Sequence, residues 1–155
     1  MSRLQFERYR KFLTEYVQFI EELAKGESEQ YAALISYDHK RIDRAVSSQQ
    51  AMNMRLSKME LQRELEQEKA GFSGLSLQQI LERAQGTEEQ AYAALLKRLE
   101  QAIDQLRYYN GKCVSFAQDG LQILGVEGAL PAAPYGSDGR RPDAAQGTSL
   151  FETKI

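Results

Sequence analysis

The chain has 155 residues, with 20 Lys+Arg against 22 Asp+Glu and a formal net charge of -2. It is 42% hydrophobic and 27% charged, which suits one domain with a buried core, with or without a tail. The charge balance argues against a dedicated nucleic-acid or anionic-membrane binder, and one cysteine with one histidine excludes an intrachain disulfide and most zinc sites.

The first twelve residues carry four basic side chains and one acid, and no apolar core follows them, so no secretory signal is expected. No apolar run approaches the roughly 18–20 residues of a membrane helix, and a lone cysteine fits a reducing cytoplasm. Residues 1–70 hold one glycine and no proline, whereas all three prolines lie after residue 130. This predicts a helical domain over 1–124 and a Gly/Pro-rich mobile tail over 125–155.

Phe6, Tyr9, Leu13, Tyr16, Ile20 and Leu23 recur in steps of three and four, which is a heptad seam on one helix face. Phe12, Val17 and Phe19 widen it. The pattern turns polar at Glu27 and Gln30 and resumes at Tyr31, Leu34 and Ile35. The first helix is expected over about residues 3–36, roughly 50 Å long at 1.5 Å per residue. Asp38 then reads as an N-cap, because its carboxylate can accept from free backbone amides. A weaker seam follows in Ile42, Ala45, Met52, Leu56 and Met59, with Gln49 and Arg63 at in-register positions. An Arg there is expected to lay its stem on apolar surface with its head in water. Met54, Leu61 and Leu65 form a flanking stripe, and the second helix ends near Ala70 and Gly71. One bent helix through Tyr37 and Asp38 has almost the same periodicity as two.

Ser76-Leu77-Gln78-Gln79 reads as a capping box that opens a short helix stopped by Gly86, and Thr87-Glu88-Glu89-Gln90 reads as a second. The last long helix, about 88–124, carries Tyr92, Leu96, Leu99, Ile103, Leu106, Asn110, Cys113 and Ala117 in steps of four and three. Leu95, Ala102, Tyr109 and Phe116 form a second seam. The expected fold class is therefore all-α: an elongated, antiparallel, coiled-coil-like three-helix bundle with one short extra helix and a flexible C-terminal tail.

No metal or catalytic motif is present: there is no H-E-x-x-H, no cysteine pair and no Gly-rich phosphate loop before Lys-Ser/Thr. No cofactor and no enzymatic activity are expected. His39 reads as an exposed first-turn residue and Cys113 as a small buried hydrophobe. The carboxylates interleave with basic residues, as on a solvated helix face. The wide apolar arc of the last helix has two readings. It either faces two neighbours within the bundle or forms part of a groove for a foreign helix. Tyr9, Tyr16, Tyr31, Tyr108 and Tyr109 can cover apolar surface while presenting a hydroxyl.

Four elements in order carry a resemblance over about residues 3–139. Ala33-Leu34-Ile35-Ser36-Tyr37-Asp38 resembles the junction of the first two helices in FlgN-like flagellar type III export chaperones. There Tyr37 stands where a Gly usually precedes the Asp, so a softer break is expected. Gly71 with Ser76-Leu77-Gln78-Gln79-Ile80-Leu81 resembles their loop and short helix. Leu106 to Cys113, with Asn110-Gly111, resembles their Asn-rich stretch, and Arg107 stands where a second Asn is common. Tyr135-Gly136-Ser137-Asp138-Gly139 resembles their Tyr-Gly element.

The resemblance implies a cytoplasmic chaperone without a cofactor. It would bind C-terminal amphipathic helices of hook-associated (hook-filament junction) proteins and deliver them to the cytosolic domain of the flagellar export gate. Neither nucleic acid nor membrane insertion is implied. The expected client-binding residues are Leu106, Tyr109, Cys113, Phe116, Leu121 and Leu124, and the expected gate-docking residue is Tyr135. The competing reading is a structural coiled-coil tether, which explains the heptads equally well and makes a homo-oligomer possible.

Overall fold

The computed structural model describes residues 3–123. The order is α1 (Arg3–Ser36), α2 (His39–Lys69), α3 (Leu77–Arg83) and α4 (Thr87–Ile123). The fold is all-α, three long helices and one short helix packed as a bundle. The long helices alternate in direction. Gln49 of α2 reaches Leu23 of α1 while Glu60 reaches Tyr16, so α1 and α2 are antiparallel. Tyr92 of α4 meets Phe6, and Arg98 meets Glu21, so α4 returns parallel to α1.

Local sequence explains where each helix stops. Tyr37 has φ 56, the left-handed conformation that costs an L-residue roughly 1–2 kcal/mol. The break at Tyr37 is therefore sharp, where a softer one was expected, and two helices meet there. The Asp38 carboxylate accepts from the Lys40 and Arg41 amides at 3.1 and 3.3 Å, which caps α2. At the far end of α2, Gly71 takes φ 81 and the Phe72 amide donates to the Gln67 carbonyl at 2.9 Å, closing the helix. The Ser76 hydroxyl and Gln79 side chain form the expected capping box. Gly86 turns the chain at φ 63, and α4 begins at Thr87 itself, a residue ahead of the expected start.

The core is asymmetric. Every member of the first seam, Phe6 to Leu23, is buried, and so are Tyr92, Leu95, Leu96, Leu99, Ala102 and Ile103 of α4. Phe72 inserts from the loop, with its ring 5.1 Å from Phe6 and 5.7 Å from Tyr9. Ile80 and Leu77 of α3 close that end. By contrast, the buried residues of α2 are Gln49, Glu60, Arg63 and Gln67, none of them apolar. Met52, Leu56 and Met59 only pack against the core edge.

The Arg63 head group is not in water, as expected from sequence, but buried. Its Nε and Nη2 donate to Glu60 at 3.2 and 3.0 Å, and its Nη1 donates to Gln67 at 3.1 Å. The Tyr16 hydroxyl donates to the same Glu60 carboxylate. Gln67 in turn donates to the Phe72 and Leu75 carbonyls at 2.8 and 2.6 Å, stapling the loop to α2. Burial raises the pKa of the Tyr9 and Tyr16 hydroxyls, with the Glu60 carboxylate adding to the shift and Arg63 opposing it, so both stay protonated.

Helix α1 is the middle element. It packs against α4 and against α2, while α2 and α4 hardly approach one another among the described residues.

Candidate functional site

The bundle has two unlike ends. At the closed end, α3 and the 70–76 loop cover the start of α1 and α4. At the other end, where α1 turns into α2, nothing equivalent lies over α4 among the described residues. The compact core cluster stops at Leu23 on α1, at Ile103 on α4 and at Leu106 on its margin. Beyond it Ala33, Cys113, Glu27 and Asn110 are buried, but the larger apolar side chains are incompletely covered. Tyr31 packs 6.3 Å from Tyr109, Tyr109 meets Tyr108 edge-on at 5.0 Å, and Tyr37 lies 5.8 Å from Phe116. Tyr37 is 75% exposed, Tyr108 59% and Ile35 48%. Tyr31, Leu34, Tyr109, Phe116 and Leu121 are half-buried.

The expected client-binding residues divide accordingly. Tyr109, Phe116 and Leu121 line this open end. Leu106 packs at the core margin. Cys113 is turned inward, with its Sγ 4.0 Å from the Glu27 carbonyl. Burial, and then the nearby Glu27 carboxylate, push its thiol pKa up to about 12, so it is not a reactive thiolate. Cys113 therefore belongs to the inner wall of the bundle, as the reading of it as a small buried hydrophobe expects. Leu124 and Tyr135 lie outside the described residues.

Sequence reasoning missed Tyr37 and Ile35 as members of this surface. The available signal was the position of Ile35 after the polar break at Glu27 and Gln30, where the first seam had already lost its partners. Tyr9 and Tyr16, grouped with the interface-capable tyrosines, belong to the core instead.

A second exposed apolar line runs along α2, where Met54 is 71% exposed, Leu61 65% and Leu65 54%. It faces away from α1 and is distinct from the open end. Among the described residues, no group of three or more His, Cys, Asp or Glu is placed to hold a metal ion, and no helix is long and apolar enough to cross a membrane.

In electrostatic terms the open end is anchored by ion pairs set behind it. Arg98 Nε donates to Glu21 at 3.2 Å, and Arg10 Nε donates to Glu88 at 2.9 Å, both joining α1 to α4 on the closed side. No comparable bridge ties α4 to α1 beyond Asn110 among the bonds found in the described residues. Among the described residues the arrangement brings no acid, base or nucleophile together there. What it offers is a strip of aromatic and aliphatic surface between a half-covered α4 and the end of α1, suited to burying the apolar face of a helix. No family model, no curated protein and no solved structure matches this chain.

Proposed function

We propose that this protein is an export chaperone of the FlgN-like kind, a cytoplasmic escort that holds the C-terminal amphipathic helix of a hook-filament junction protein and hands it to the flagellar export gate. The observation that carries this reading is the open end, with Tyr31, Ile35, Tyr37, Tyr108, Tyr109 and Phe116 left partly uncovered between the end of α1 and the later part of α4. An amphipathic client helix exposes an apolar stripe that aggregates in water, and such a strip shields it. Tyrosines suit the task because each covers apolar area while its hydroxyl remains hydrated. In this reading Tyr135 serves the handover by docking on the gate.

The test is a titration with a peptide from the C-terminus of a junction protein. Binding is expected, and Phe116→Asp in a still-folded protein is expected to weaken it at least tenfold, about 1.4 kcal/mol. An unchanged affinity in that variant contradicts the assignment of the site.

The Met54, Leu61 and Leu65 line supports a second reading, a self-associating helical tether. Mass measured over a range of concentrations separates the two. The escort is a monomer, or a weak dimer, with α4 still available, whereas the tether is a tight oligomer that binds no client peptide.

A further inference from the structure

A layer of polar side chains from all three long helices lies where the apolar core ends. Glu27 of α1 is 3% exposed, Gln49 of α2 is 3% exposed, and Asn110 of α4 is 7% exposed. Gln49 lies flat across α1. Its Nε2 donates to the Leu23 carbonyl at 2.9 Å and to Glu27 Oε1 at 3.1 Å. Only glycine at position 26 allows this, since a Cβ there would fall 2.1 Å from Gln49 Oε1. The Asn110 side chain bears on the same carboxyl from the other flank. Two buried atoms of the layer have no hydrogen-bond partner, Glu27 Oε2 and Asn110 Oδ1.

Both orphans are acceptors when Glu27 is ionised. A buried acceptor without a donor is costly, more so when it carries charge, and a proton on the Glu27 carboxyl relieves the charged one. A proton on Glu27 Oε2 removes the charge from the buried carboxyl and ends that oxygen's need for a donor, while Oε1 keeps its bond from Gln49. Among the described residues no charged group stands against the carboxyl to favour ionisation. α2 presents the uncharged Gln49, and α4 presents the uncharged Asn110 and the protonated Cys113 thiol. We propose that the Glu27–Gln49–Asn110 layer is a proton-operated latch: it closes the open end of the bundle when Glu27 carries a proton and loosens it when that proton leaves.

The sign follows from the burial. Desolvation is the largest influence on Glu27 and raises its pKa in the folded state, the bonds from Gln49 and Asn110 opposing it. A raised acid pKa means that the stabilising contribution is full at low pH, where open and closed forms are both protonated. It declines as pH rises above the ordinary carboxyl range and is lost once pH passes the folded pKa. In between, opening becomes easier by about tenfold for each unit separating the two pKa values.

The experiment is amide hydrogen exchange on the full chain, expressed as protection factors at pH 4.5 and pH 7.5. Amides of the late α1, early α2 and late α4 segments are expected to lose protection at pH 7.5, while those around Tyr92 and Leu99 keep theirs. Glu27→Gln places a permanent donor at the layer and is expected to hold the pH 4.5 protection at both pH values. Glu29→Gln, on the exposed side of α1, is expected to behave like the unaltered chain.

Equal protection at both pH values overturns the latch. So does a Glu27→Gln chain that keeps the pH dependence, or a Glu29→Gln chain that loses it. Should Glu27→Gln not fold, a carbon-13 titration of the Glu27 carboxyl in the unaltered chain decides. A midpoint above the ordinary glutamate range supports the latch, and one within or below that range overturns it.

Discussion

The closed and open ends of this bundle are made of the same residue types in the same spacing, yet one is a core and the other a surface. At the closed end the seams of α1 and α4 face each other, and a third party, the loop with Phe72 and the short α3, seals the gap. At the open end the α4 pattern continues through Leu106, Tyr109, Cys113 and Phe116. There α1 is ending and α2 supplies no buried residue before Gln49. Whether a heptad becomes interior is thus decided by what lies across from it. A helix stripe reports the wish for a partner, not the partner's presence.

The largest way to break the comparison is to damage the closed end alone. Phe72→Ala removes a fully buried ring that touches Phe6 and Tyr9. It should cost about 3–5 kcal/mol in denaturant unfolding. A loss that small surface substitutions match would show that the closed end is no tighter than the open one.

The α1–α2 seam gives the next effect. Arg63→Leu leaves the Glu60 carboxylate buried without its cation, and should cost about 3 kcal/mol. Adding Glu60→Leu to that variant should recover most of the loss, since a buried ion pair often contributes little beyond its apolar replacement. If both variants are equally damaged, the pair stabilises the seam by itself.

The smallest effect sharpens the contrast from the other side. Gly111 and Gly120 lie inside α4, and a Cβ at either would meet nothing within 4 Å. No packing requires them, so they weaken the helix where it is least covered. Gly120→Ala should add about 0.8–1 kcal/mol of helix propensity and slow exchange in the last turns of α4. Unchanged exchange there would mean that this segment is already held by other contacts.

Much of the fold was legible because it is written in local chemistry. The Asp38 cap, the Ser76 capping box, the glycine at 71 and the seam from Phe6 to Leu23 act over a few residues, and the structure places them as the spacing predicts. The polar seam of α2 was harder to read. Arg63 and Gln49 looked like polar intruders in a weak heptad, because Gln49 bonds to Leu23 and Glu27, 26 and 22 positions away, and the Arg63–Glu60 pair is covered by Tyr16, 44 positions from Glu60. Only the tertiary fold brings Glu60, Tyr16 and Arg63 together, or sets Gln49 between Glu27 and Leu23.

The candidate site was half legible. Tyr109, Phe116 and Leu121 were found from α4's second seam and its continuation. Cys113 was legible as a small buried hydrophobe on the seam, and the structure buries it against the Glu27 carbonyl. Tyr37 was missed because its left-handed backbone, which swings the ring over Phe116, has no side-chain periodicity to betray it.

The central claim is that the end of the bundle near Tyr37 and Phe116, and not the end near Phe72, receives a foreign helix. Chemical-shift mapping of the full chain during titration with a junction-protein C-terminal peptide tests it most directly. The account predicts saturable shifts concentrated in residues 28–38 and 105–121, with residues 70–100 undisturbed. Saturable shifts centred on the closed end, or no shifts at any peptide concentration, would contradict it.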